Sequence, residues 1–160
     1  MRIKAVGFDP VASHKGWYTT PGVSDEGQDL EDAALKLQVE ALAKGFYCVC
    51  GSLGGEGYRL YLIPATGIRR VIEGFEVGSH ADCDANSVFE EIAFADSTNL
   101  LIPYFADPAG LKAKFSKPIT QELIAVLEET LMSAEPMIDE DEGSIEPYIR
   151  KNEGIYLWWD

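Results

Sequence analysis

The chain has 160 residues, 46% of them apolar, and a formal net charge of −14 from 27 acids against 13 bases. That length fits one domain, and the apolar content is enough to offset ordering entropy, so a disordered chain is excluded. So strong an acidity opposes nucleic acid and anionic membrane surfaces, which need clustered Lys and Arg, and attracts basic partners.

Residues 3–8, IKAVGF, predict a short strand stopped by Asp9-Pro10, followed by a Gly/Pro/Ser/Thr-rich loop over 9–28. Asp29 then reads as the N-cap of an amphipathic helix to Lys44. Its stripe is Leu30, Ala34, Leu37 and Ala41, and Gly45 is the stop. FYCVCGS and YRLYLIP flank LGGEG, which predicts a central hairpin at about 46–63. IRRVIEGFEV, residues 68–77, extends it as a third strand, with Arg69 and Arg70 on opposite faces.

Residues 78–86 read as a loop, and Asn86 or Ser87 caps a helix running to about Ala95. LLIPYF at 100–105 fits a strand that Pro103 moves to an edge, and DPAGLKAKF holds one helical turn. KPITQELIAVLEETLMSA carries a strong helix with Pro118 in its first turn. Ile119, Leu123, Val126, Leu127 and Leu131 share its apolar face. After a dense acidic run with two prolines, IYLWWD predicts a last strand, with one of its tryptophans packed inward. Grouped strands with helices between them predict an α+β fold. One domain spans 1–160, with a mostly antiparallel sheet and two or three packed helices.

The chemistry-bearing residues are few. Cys48, Cys50, His80 and Cys83 are the ligand types zinc prefers. A C-x-C within an alternating strand, however, favours core cysteines over the C-x₂₋₄-C spacing of a structural site. Asp82, Asp84 and Asn86 open like a calcium loop, but Ser87 and Ala93 stand where Gly and a bidentate Glu are required. These Asx residues read as turn and capping residues. SLGG at 52–55 lacks the order of a nucleophile elbow, and LGGEG lacks the Lys-Ser/Thr of a phosphate loop. No cofactor, metal or catalytic residue is assigned. Three cysteines, no signal-peptide pattern and no span of about 20 apolar residues give a cytoplasmic, reduced protein as the expectation.

One constellation favours binding. Asp139, Glu140, Asp141 and Glu142 are followed by an apolar and aromatic set that ends in Trp158, Trp159 and Asp160. Carboxylates steer a basic protein and an aromatic side chain anchors it. The partner-binding residues are therefore read as Asp139, Glu140, Asp141, Glu142, Trp159 and Asp160. In physical character this is like a bacterial immunity protein against a cationic nuclease toxin, an analogy without a family match. Two alternatives stand beside it. One is an enzyme with a carboxylate or metal-assisted site around His80, Asp82 and Asp84. The other is a structural or assembly subunit.

Overall fold

The computed structural model describes residues 7–93, 100–130, 135–136 and 145–159. Eight strands form one sheet: β1 (Asp9–Pro10), β2 (Tyr18–Thr19), β3 (Phe46–Gly51), β4 (Arg59–Pro64), β5 (Leu101–Ala106), β6 (Gly110–Phe115), β7 (Glu135–Pro136) and β8 (Gly154–Trp158). Their order is β1-β2-β4-β3-β5-β6-β8-β7. Neighbours are antiparallel except β3 and β5. These run parallel and pair only at Cys50–Phe105 and Gly51–Ala106. The helices are α1 (Gln28–Ala43), α2 (Arg69–Gly74), α3 (Ala85–Glu91), α4 (Gln121–Thr130) and α5 (Ile145–Asn152). The fold is thus α+β with a mostly antiparallel sheet, and the central hairpin is β3–β4. Five helices among the described residues replace the expected two or three.

Alternation along β3 sends Cys48 and Cys50 to one face and Tyr47 and Val49 to the other. On the first face lies α1, packing Ala34 and Ala41 against Cys48, Cys50, Leu60 and Phe105. On the second lie α2 to α5, which bring Val71, Ile72, Val88, Leu127, Ile145 and Ile149 onto Tyr47, Val49, Tyr61 and Leu157. The α1 stripe is rotated by about one residue from the expected one. Glu31, Ala34, Gln38 and Ala41 are its buried positions, and Leu30 and Leu37 flank them. Two of those four are polar, and each has partners. Gln38 Nε2 donates to the Pro103 carbonyl at 2.8 Å, and its Oε1 accepts from the Cys48 N–H at 2.6 Å. Both carboxylate oxygens of Glu31 accept from Lys112 Nζ at 2.9 Å.

The short β3–β5 ladder explains why a glutamine is needed. Cys48 and Pro103 lie ahead of the paired residues, where the two strands do not bond each other. Gln38 supplies one acceptor and one donor to these buried backbone groups. Pro103 therefore sits in an interior strand, against the expectation of an edge. A register shift between Pro103 and Phe105 marks the irregularity that accommodates it.

Two further segments depart from the sequence reading, and a third forms an element where none was assigned. Residues 69–74 are helix, where a third strand was expected. Ile68, Val71, Ile72 and Phe75 are all buried, and their spacing of three, one and three is helical. The β-branched composition pointed to a strand, but burial of this face decided the outcome. Arg69 pairs with Glu73 at 2.7 Å and lies over the Phe89 ring, while Arg70 donates to the Lys15 carbonyl. Residues 110–115 are strand, where a helical turn was expected. Leu111 and Ala113 face the core and Lys112 and Lys114 the other side, with Asp107 closing the preceding turn on the Ala109 and Gly110 amides. Residues 145–152 are helix, with Ile145 and Ile149 buried one turn apart and Pro147 in the first turn, where its missing N–H is tolerated.

Helix starts also differ by a few residues. Asp84, not Asn86 or Ser87, caps α3 by accepting from the Ser87 N–H at 2.8 Å. Thr120 Oγ1 accepts from Leu123 N–H at the head of α4, three residues after the expected start near Pro118. There Ile124 and Leu127 are buried, whereas Val126 is exposed. The expected strand over 3–8, the helix limit at Ala95 and Leu131 lie outside the described residues or run into them. No helix among the described residues is long and apolar enough to cross a membrane.

Candidate functional site

The expected contact patch divides. Asp139, Glu140, Asp141, Glu142 and Asp160 lie outside the described residues. Trp159 does not face outward. It is 4% exposed, belongs to the core under α2 to α5, and its Nε1 donates to Glu91 at 3.4 Å. Strand alternation is the reason. Leu157 and Trp159 share the covered face, which leaves Tyr156 and Trp158 half-buried on the other. Trp158 meets Tyr156 edge-on at 6.3 Å.

The four candidate zinc ligands do not converge either. Cys48 and Cys50 are buried beneath α1, while Cys83 packs against the opposite core. Among the described residues, no three of His, Cys, Asp and Glu group to hold a metal. Asp84 is engaged as a cap, and Asp82 ends the 3₁₀ turn Ser79–Ala81 in the left-handed conformation. Burial pushes both Cys48 and Cys50 up to about 12. A thiol raised in this way stays neutral through the neutral range, and folding loses stability only as pH climbs past the ordinary thiol value. In folded protein at pH 8, iodoacetamide should therefore leave Cys48 and Cys50 unmodified, and urea should expose both. Native mass spectrometry reads this directly. Rapid labelling of either cysteine without urea would mean that α1 opens readily.

A cleft of about 870 Å³ forms where the β1–β2 loop, the β3–β4 loop and the end of α2 meet. Its floor is aromatic. Trp17, Tyr61 and Phe75 pack with ring centroids 5.2 to 6.3 Å apart, and Tyr61 and Phe75 line the cleft. Gly74 permits this approach, because a Cβ there would lie 2.2 Å from the Trp17 ring. The β3–β4 loop turns on Gly54, Gly55 and Gly57, all at positive φ.

Charge on the walls is one-sided. Glu56, Glu73 and Glu76 line the cleft and are all exposed. Among the described residues lining it, Arg59 carries the one fixed positive charge, and its guanidinium donates to the Thr20 and Pro21 carbonyls. Glu73 shares its charge with Arg69, an exposed pair of small energetic weight. Glu76 stands at φ 52° directly after the α2 C-cap, Phe75. The Val77 N–H returns to the Ile72 carbonyl and the Glu76 N–H to that of Glu73, which is the Schellman pattern with glutamate at the position glycine usually takes.

His14 completes the rim. Its ring lies 4.5 Å from that of Trp17, and the Ser13 hydroxyl is 2.8 Å from its Nδ1. A nucleophile–base pair also needs a group that orients the base. Among the described residues, no carboxylate bonds His14. Neither Glu56, Glu73 nor Glu76 was legible as a site residue. Glu56 is one acid inside a turn, and the other two fell in a segment read as strand. No protein-family model, no curated protein and no solved structure matches the chain.

Proposed function

We propose that the protein binds a basic protein and that the cleft receives one of its lysine or arginine side chains. The observation that supports this most is the pairing of Glu56, Glu73 and Glu76 with an aromatic floor in one cleft. A cationic side chain placed there meets carboxylates at its head, and its stem lies along the partly exposed Val11 and Leu53 above the aromatic floor. The net charge of −14 steers such a partner from a distance. Glu76 adds weight: a glutamate held where glycine is easier is the kind of local strain that functional positions carry. Asp139, Glu140, Asp141, Glu142 and Asp160 contribute to the same field, and Trp158 takes over the anchoring role first given to Trp159.

The test is a pull-down with the purified protein as bait, from lysate of its source, washed in a salt series. A basic protein should be retained at low salt and released as salt screens the charges. The triple variant Glu56→Gln/Glu73→Gln/Glu76→Gln should lose it, while Asp139→Ala/Asp141→Ala should weaken it less. Equal retention by the triple variant and the parent would remove the cleft from the interface. Retention of no basic protein at any salt would remove the function itself.

A further inference from the structure

A second cavity, of about 180 Å³, lies among β5, β6, β8 and α5. It differs in sign from the rest of the molecule. Lys112 and Lys114 enter it from β6, and the phenols of Tyr104, Tyr148 and Tyr156 complete its walls. Gly154, opposite Lys114 in the ladder, adds no side chain to fill it.

The two lysines are not equivalent. The Lys112 ammonium is bound by both oxygens of Glu31 and lies 4.9 Å from the Phe105 ring centroid and 4.7 Å from that of Tyr156. Its charge is matched. Lys114 Nζ donates to the Asn152 carbonyl, a neutral acceptor, so its charge remains uncompensated by that bond and two of its N–H groups are left. Tyr104 is half-buried, and among the described residues its hydroxyl has no hydrogen-bond partner. Burial, with the Glu31 carboxylate nearby, raises the Tyr104 phenol; burial also raises Tyr156 and Tyr148. All three therefore stay protonated at neutral pH, when a phenol can donate.

We infer that this cavity is a binding site for a small oxyanion, a phosphate or carboxylate group, held by the Lys114 ammonium and the Tyr104 hydroxyl. A half-buried ammonium and a phenol without a partner are the donors such a group completes. The volume sets the size. It is well below the roughly 300 Å³ at which drug-sized ligands begin, so the occupant has only a few heavy atoms. The site is separate from the acidic cleft and does not depend on the basic partner.

Isothermal titration of the full chain, at constant ionic strength in chloride, tests this with inorganic phosphate and with acetate as separate probes. One-site, saturable binding of at least one is expected. Saturation by phosphate alone identifies a phosphoryl ligand, and saturation by acetate alone a carboxylate. Lys114→Met should weaken the binding by about tenfold or more, and Tyr104→Phe, which removes only the hydroxyl, should also weaken it. Circular dichroism confirms that each variant is folded. If Lys114→Met does not fold, Tyr104→Phe decides alone. No saturable heat with either probe, or unchanged affinity in Tyr104→Phe, would overturn the site.

Discussion

Replacing Gln38 by leucine is expected to destabilise the protein by about 3 kcal/mol, since it strands two buried backbone groups at once. The Cys48 N–H would lose its acceptor and the Pro103 carbonyl its donor, at a place where β3 and β5 offer each other nothing. Urea denaturation measures the change, and a midpoint shift with unchanged slope is the expected form. Gln38→Glu separates the two bonds. A carboxylate can still accept from Cys48, but it faces the Pro103 carbonyl with no proton to give. It should therefore be at least as damaging as leucine. A loss below about 1 kcal/mol in Gln38→Leu would show that solvent reaches these groups and replaces the side chain.

The second large effect belongs to Lys112. Lys112→Met removes the partner of a carboxylate whose side chain is only 9% exposed. Breaking such a pair from one side costs about 3 kcal/mol or more, because an uncompensated charge stays in the interior. Because the lysine side chain is itself 20% exposed, the lower end of that range applies. The double variant Glu31→Gln/Lys112→Met should recover most of the loss, since replacing both members removes the buried charge. Lys112 also lies between two aromatic rings, so part of the deficit should persist as lost cation–π contact. A double variant no more stable than Lys112→Met would mean that the rings, and not Glu31, make this lysine necessary.

Both residues show what sequence patterning conveys and where it stops. The α1 helix, the β3–β4 hairpin, α4 and β8 were legible because each is long enough to display its period. Patterning placed the α1 stripe on Leu30 and Leu37, since it counts apolar residues. It passed over Glu31 and Gln38, whose burial depends on partners 81 and 65 residues away. Short elements failed for a related reason. The α2 helix is six residues long and rich in β-branched side chains. In β6, two lysines stand at the alternate positions of a core-facing strand, and α5 contains a proline. The acidic cleft had no sequence signal at all, because Glu56 and Glu76 meet only through loop geometry.

The two-residue parallel contact between β3 and β5 has a consequence for how the chain assembles. Strands β1 to β4 all come from residues 9–64, and β5 to β8 all from residues 101–158, so each half of the sheet is local in sequence. Within the halves, the β3–β4 and β5–β6 hairpins close short loops, which is the fast part of folding. Joining the halves is a long-range step, like the β2–β4 and β6–β8 pairings within them. Its ladder is only Cys50–Phe105 and Gly51–Ala106. The rest of that union is carried by the two apolar cores, each of which draws on both halves, and by polar side chains of the first half that bond the second. Gln38 bonds Pro103, Glu31 bonds Lys112, and the Tyr58 hydroxyl donates to Asp107 at 3.0 Å. The protein is thus two strand groups, each contiguous in sequence, joined by a minimal ladder, two shared apolar cores and three polar clasps, and cutting those clasps should lower amide-exchange protection first along the β3–β5 seam.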